Sequence, residues 1–262
     1  MDQTNPVLQA IHAHGSVRHY RDTPVSDEHI ETIIDAAIRA ATSSNLQMWS
    51  VVAVRGRDTR DRFAEIAGDQ HHIREAPVFL VWCADRNLIA RVSNERGYHQ
   101  VSENVEDFLV AAMDASIAMQ NATLAAESMG LGTCYIGGLR NDTAAVIEIL
   151  GLPEFVFPIC GMTLGHPVKA IKRKHRLDRE AFLSWERYTP ASHDLVDRYD
   201  GAMLATGLYR GRQTRGIRPD GSEAEPLPTE EYSWSEHSAR RASRAVRTDL
   251  RTVLRSQGYE LR

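Results

Sequence analysis

Residues 12 to 22 read HAHGSVRHYRD, which puts three histidines, two arginines and a serine into eleven positions. Three chemistries compete for such a stretch. A metal site would use the HxH pair His12 and His14 with His19 close behind, but a catalytic zinc needs at least three well-placed protein ligands. The strand ends supply only Arg55, Asp85 and Gly137, and the adjacent His71 and His72 cannot easily face one ion together. An anion site would use alternation instead. If residues 14 to 20 are extended, His14, Ser16 and Arg18 share one face and Gly15, Val17 and His19 the other, an array of donors over roughly 13 Å that suits an elongated anion such as a mononucleotide. The third possibility is a solvated segment in which Arg18 and Arg21 are surface charges and His14 closes a short helix. Taken alone, the stretch fits that description best.

Three further stretches shift the balance toward the anion. TSSNLQMWS (42 to 50) follows a helix with small polar side chains and an amide, suited to the hydroxyls of a sugar or sugar alcohol. YIGGL (135 to 139) places two glycines after a strand, where backbone N–H groups can approach a flat ligand closely. KHR (174 to 176) adds a cationic pair able to close over a phosphate. The chain contains neither GxGxxG nor GxxxxGK[ST], so neither standard nucleotide loop accounts for these features.

The elements that must position these residues follow from periodicity. Asn5 and Pro6 start a short helix ended by Gly15. Ser26 caps an amphipathic helix carrying Ile30, Ile33, Ile34, Ala37 and Ile38. Residues 49 to 56 and 76 to 85 read as buried strands separated by a helix ending at Gly68. Residues 103 to 129 form a long alanine-rich helix ended by Gly130, apolar around most of its circumference after Phe108 and so expected to be buried. GTCYIGGL is a short strand, RNDTAAVIEILGLP a helix and FVFPICGMTLGHP a fourth strand. Four strands for many helices predict an α+β sheet wrapped by helices. Beyond the basic run KAIKRKHRLDRE lie a helix over 192 to 209, a Gly, Pro and Glu rich loop over 211 to 232, and one amphipathic helix over WSEHSARRASRAVRTDLRTVLRSQG.

A chain of 262 residues with 42% hydrophobic content can bury a substantial core, and a formal net charge of −4 gives no global attraction to nucleic acid or an acidic membrane. Cys83, Cys134 and Cys160 are widely spaced in apolar runs and read as core thiols in a reducing compartment. Neither a signal peptide nor a run of about 18 apolar residues is evident. The expectation is a cytoplasmic protein. Arg240, Arg244, Arg247, Arg251 and Arg255 recur at helical spacing and raise a nucleic-acid reading of the tail, but a solvated or subunit-bridging face is preferred in a chain that is acidic overall.

HGSVRHY, ATSSNLQ, GDQHHI, AAESMGLGTCYIGGLRND, LGHP and KHRL together, in this order and spacing and with a C-terminal WSEH, resemble the FMN-dependent nitroreductase family, in particular its branch of oxygen-insensitive NADPH nitroreductases and NADPH:flavin oxidoreductases. The resemblance implies a mixed sheet wrapped by helices, an interlocked homodimer with a long helix at the interface, and two FMN molecules between the subunits. Residues 1–190 would form the FMN-binding core and 191–262 an extension covering the active site and the partner. It implies further that His14 and Ser16 hold the FMN phosphate with Lys174 and Arg176, at a site where Gly15 stands in place of a frequent arginine. Arg18 would lie beside the pyrimidine edge of the ring. Thr42, Ser43, Ser44 and Gln47 would make ribityl and ring contacts, Gln70 a ring-edge contact, and Tyr135, Ile136, Gly137 and Gly138 would face N5 and O4. Arg210 would grip the NADPH phosphate, although the 211–231 connection is longer than usual and adds Arg212, Arg215 and Arg218. No side chain need act as nucleophile or base. The flavin carries the redox chemistry, NADPH or NADH supplies hydride in a ping-pong cycle, and the acceptor is a nitroaromatic, a quinone or free flavin.

Overall fold

The computed structural model describes residues 5–99, 104–171 and 173–262. Asn5 caps α1 (Pro6–Ala13) by accepting the amides of Val7 and Leu8, and Ser26 caps α2 (Asp27–Ile38) through the amide of His29. There follow β1 (Trp49–Val54), α3 (Arg57–Ile66), α4 (His71–Glu75), β2 (Val78–Asp85), α5 (Asn87–Glu95), α6 (Val105–Ser128), β3 (Gly132–Ile136), α7 (Thr143–Leu150) and β4 (Val156–Gly165). The chain then forms α8 (His193–Thr206), α9 (Trp234–Ala242) and α10 (Leu250–Ser256). The four expected strands and the main helices are present. The short α4 and α5 were not anticipated, and Glu103, the expected start of the long helix, lies outside the described residues.

The sheet order is β1-β2-β4-β3, and each neighbouring pair is antiparallel. Within this chain the sheet is therefore antiparallel and not mixed. The crossover through α5 and α6 sets β2 and β3 in the same direction, but β4 fills the gap between them and pairs antiparallel with both. Alternation along β2 sorts the core. Val78, Leu80 and Trp82 face Ile33 and Ala37 of α2 and the alanines Ala118, Ala122 and Ala126 of α6. Phe79, Val81 and Cys83 face Phe63, Ala64 and Ile73, with Val146 of α7.

The chain divides into two compact units, one comprising the described residues up to 171 with Arg247–Arg262, the other Arg173–Val246. In the first unit Val253 and Leu254 of α10 pack with Phe157 and Tyr259. The tail is consequently two helices where one was expected. Ser243 turns its hydroxyl back to the Arg240 carbonyl and accepts the amide of Ile217, Arg247 adopts a left-handed backbone (φ 57°), and Val246 between the two helices is 62% exposed.

By length and mean hydropathy α6 is long and apolar enough to cross a bilayer, although Asp114 interrupts it and no unbroken run of about 18 apolar residues is present. Ala111, Ala115, Ala118, Ala122 and Ala126 bury one of its faces, while Leu109, Met113 and Ile117, at intervals of four, remain 49, 53 and 40% exposed.

Candidate functional site

The opening segment does adopt an alternating form. Gly15 and Val17 are buried, while Ser16 and Arg18 are exposed and His14 is half-buried; His19 departs from the pattern, its side chain being exposed. Two anchors impose this. The Val17 amide donates to the Thr133 carbonyl of β3 at 2.8 Å, and the Tyr20 hydroxyl donates to the Val17 carbonyl at 2.8 Å while sharing a 2.7 Å bond with Thr163 Oγ1 of β4. Burial pushes the Tyr20 phenol upward, so it stays a neutral donor. His14 caps the end of α1, and its Nδ1 lies 2.7 Å from Glu127 Oε1 near the end of α6.

The 42–48 loop hangs from a single buried carboxylate. Asp114, 2% exposed on α6, accepts the Thr42 hydroxyl at 2.6 Å and the amides of Ser43 and Met48 at 3.1 Å each. Thr42 Oγ1 in turn accepts the Gln47 amide at 2.9 Å. Between these anchors Ser44, Asn45 and Gln47 all take positive φ (48, 57 and 54°), a conformation that side chains adopt only where surrounding contacts hold it. Ser43, Ser44 and Gln47 are left exposed.

The glycine turn after β3 is held just as firmly. Pro158 cannot donate a ladder bond, and the β2–β4 register slips at this point: Trp82 pairs with Cys160 and Cys83 with Pro158, leaving Ile159 as a bulge. Arg140 of the turn donates to the Ile159 carbonyl. A Cβ on Gly138 would lie 2.8 Å from the Ala67 carbonyl and 2.8 Å from Gln70 Nε2, so the close approach of the turn to the 67–70 segment requires glycine here. Gln70 Nε2 itself donates to Ala67 O at 2.8 Å. Two residues on, burial and the nearby Arg18 guanidinium push the His72 imidazole down to about 4, and its Nε2 is buried with no hydrogen-bond partner among the described residues. Tyr135 is 39% exposed, with its hydroxyl bonded to Thr123 Oγ1 at 2.8 Å; the Ile136 side chain is buried.

The first unit thus links the 14–18 strip, the 67–72 segment and the 132–138 segment directly. Asp114 and Glu127, which hold the 42–48 loop and His14, stand 13 positions apart on α6, about 20 Å at the helical rise. Lys174, Arg176 and Arg210 belong to the second unit. There Arg210 lines a cavity of about 460 Å³ with Met203, Leu204, Tyr209 and Tyr232. The 211–231 connection is an ordered hairpin: Ile217 bridges Glu223, Gln213 brackets Leu227, and Arg240 donates to the Glu225 carbonyl at 2.7 Å and to Glu236 at 2.6 Å. Arg240 is 6% exposed and stacks over Tyr232, which removes it from any basic surface stripe.

Among the described residues no three His, Cys, Asp or Glu side chains stand together as metal ligands would. Burial raises the Cys160 thiol and pushes Cys83 up to about 12, which leaves both poor nucleophiles. Sequence reasoning missed Asp114, Glu127, His72 and Arg140. For the first two a signal existed, an isolated acid at 114 and another at 127 in a helix rich in alanine after Phe108, since a carboxylate on an apolar face must be paired.

Fold and site define an α+β protein whose antiparallel sheet, wrapped by helices, carries an anchored strip with Ser16 and Arg18 exposed, a loop held by Asp114 and a close-packed glycine turn at Gly138. The chain belongs to the nitroreductase family: residues 11–166 match the model described as "Nitroreductase family" and residues 174–262 that of its C-terminal domain. It is 35% identical to an FMN reductase [NAD(P)H] of Bacillus subtilis (98% of this chain, 99% of that one) and 33% identical to an oxygen-insensitive NADPH nitroreductase of Salmonella typhimurium (98% and 100%). The solved structure of NfrA2 from B. megaterium superposes with a TM-score of 0.88 at 34% identity, covering 99% of this chain and 100% of that one.

Proposed function

We propose that the protein is an FMN-dependent NAD(P)H oxidoreductase that reduces nitroaromatics, quinones or related small acceptors in two half-reactions. The observation that carries this reading is the strip in which Ser16 and Arg18 are exposed on one face, anchored through Val17 to the β3 strand that runs into the close-packed Gly138 turn, in a chain of this family. The donor set fits FMN. His14 and Ser16 offer a ring nitrogen and a hydroxyl for the phosphate, the strained Ser43–Gln47 loop offers hydroxyls and an amide for the ribityl chain and ring, and the 136–138 backbone allows flat approach. When bound, the flavin supplies hydride acceptance and release. Arg18 offers positive charge where reduction would place negative charge on the ring, favouring the reduced form. His72, kept neutral by burial, adds no competing cation beside it.

In the second unit, Arg210 lines a cavity with the aromatic Tyr209 and Tyr232 and the polar Thr229 and Glu230, which supports a nicotinamide dinucleotide as donor, its guanidinium taking a phosphate. The exposed Leu109, Met113 and Ile117 stripe, with Val7 and Ile11 of α1 also exposed, supports a homodimer joined through α6. Reducing surroundings fit the three free thiols, and the location we propose is the cytoplasm.

The test is direct. Purified protein should be yellow, or become so on loading with FMN, and oxidise NADPH or NADH in the presence of a nitroaromatic or quinone; a protein that cannot be loaded refutes the reading. A second reading, a reductase releasing free reduced flavin, is favoured by the B. subtilis relative named FMN reductase. Turnover with added FMN compared with nitro and quinone acceptors separates the two.

A further inference from the structure

Glu127 occupies the last turn of α6, a turn with no basic residue of its own, and its side chain is 6% exposed. A carboxylate there faces the negative end of the helix dipole and has lost most of its water, two costs that fold stability alone gives no reason to bear. What it has is His14. The 2.7 Å contact joins Oε1 to Nδ1 across 113 positions of sequence, and the imidazole side chain remains 36% exposed.

We propose that Glu127 is the positioning residue for the phosphate contact of His14, a step that rests on the assignment of His14 to the FMN phosphate. With Nδ1 committed to the carboxylate, the ring plane is fixed and Nε2 is the nitrogen left for a ligand, the arrangement by which second-shell carboxylates orient histidines elsewhere. Ser16, two residues along an extended segment, projects to the same side. In the FMN complex an anion stands on each side of the ring, the carboxylate at Nδ1 and the phosphate at Nε2, and each requires a proton on the nitrogen it meets. The bound imidazole is then a cation held between two anions. Glu127 touches no ligand atom; it acts through His14.

The experiment titrates the apoprotein with FMN and with riboflavin, which lacks the phosphate, and compares wild type, Glu127→Gln and His14→Ala. Glu127→Gln should reduce the preference for FMN over riboflavin about tenfold, the scale of one charge-assisted hydrogen bond, while leaving riboflavin affinity unchanged. In the FMN complex the ¹⁵N and ¹H shifts of the His14 ring should show a stronger Nδ1 hydrogen bond in wild type than in the variant. A residue needed only for folding would weaken both ligands alike. Should Glu127→Gln not fold, Glu127→Asp, which keeps the charge but withdraws it by one methylene, serves instead with a loss of about threefold. A Glu127 variant with the full FMN preference, or one that weakens both ligands alike, overturns the proposal while loss of preference in His14→Ala leaves the phosphate assignment standing. Full preference in His14→Ala overturns that assignment itself.

Discussion

Replacing Asp114 by asparagine changes almost no volume but removes one acceptor from a carboxylate that serves three donors. Oδ2 accepts both the Thr42 hydroxyl and the Met48 amide, and Oδ1 accepts the Ser43 amide. The asparagine carbonyl can keep the Oδ2 pair. Its NH2 group then faces the Ser43 N–H, donor against donor. Losing a hydrogen bond to a charged acceptor and stranding a half-buried amide costs about 1.5–3 kcal/mol. The positive φ values at Ser44, Asn45 and Gln47 add to the effect, because each is a conformation the loop leaves when its anchor weakens. Urea unfolding of the apoprotein should show that loss with an unchanged m-value. Equilibrium titration should show FMN and riboflavin binding weakened equally, by about 10- to 100-fold, since the loop is assigned to the ribityl chain and ring and not to the phosphate. Unchanged stability together with unchanged flavin affinity would refute the assignment of Asp114 as the anchor of a ligand loop. A loss confined to FMN would place the loop at the phosphate instead.

Arg18→Ala should weaken FMN retention and lower the two-electron potential by about 20–40 mV, the equivalent of roughly 1–2 kcal/mol, as read by dye-linked redox titration; an unchanged potential removes Arg18 from the ring. Gly138→Ala should cost about 1–3 kcal/mol in thermal unfolding, because a Cβ would meet the Ala67 carbonyl and the backbone has no room to give, and it should displace Gln70 and weaken FMN binding as well. His72 carries a folded-state value depressed to about 4, so between about 6.5 and 4 the unfolded chain binds the proton more readily. Its stabilising contribution is complete above that window and falls as pH falls through it, by about 1–2 kcal/mol after allowance for solvent screening. His72→Gln should flatten this part of the stability profile between pH 7 and 4.5, and an unaltered slope would show that other groups set it.

Much of this protein can be read along its chain because the relevant forces are local. The buried strands, the caps at Asn5 and Ser26, the glycine stops at 68 and 130, and the alternation through residues 14 to 18 are all properties of a few adjacent residues, and the structure reproduces them. The cofactor class was legible for a different reason, the order in which several weak motifs occur.

What the sequence left open were pairings between distant segments. Nothing near β4 states that it will insert between β2 and β3, and nothing near Arg240 states that it will be enclosed by a hairpin instead of continuing a basic stripe. Asp114 and Glu127 are plain acids in a helical run until folding sets the 42–48 loop against one and His14 against the other, 66 to 72 positions away in the first case and 113 in the second. The sequence by itself determined which short segments could present donors to a ligand. Only the tertiary structure decided which buried charges hold those donors still, because a carboxylate's role depends on which distant donors folding brings within hydrogen-bonding distance.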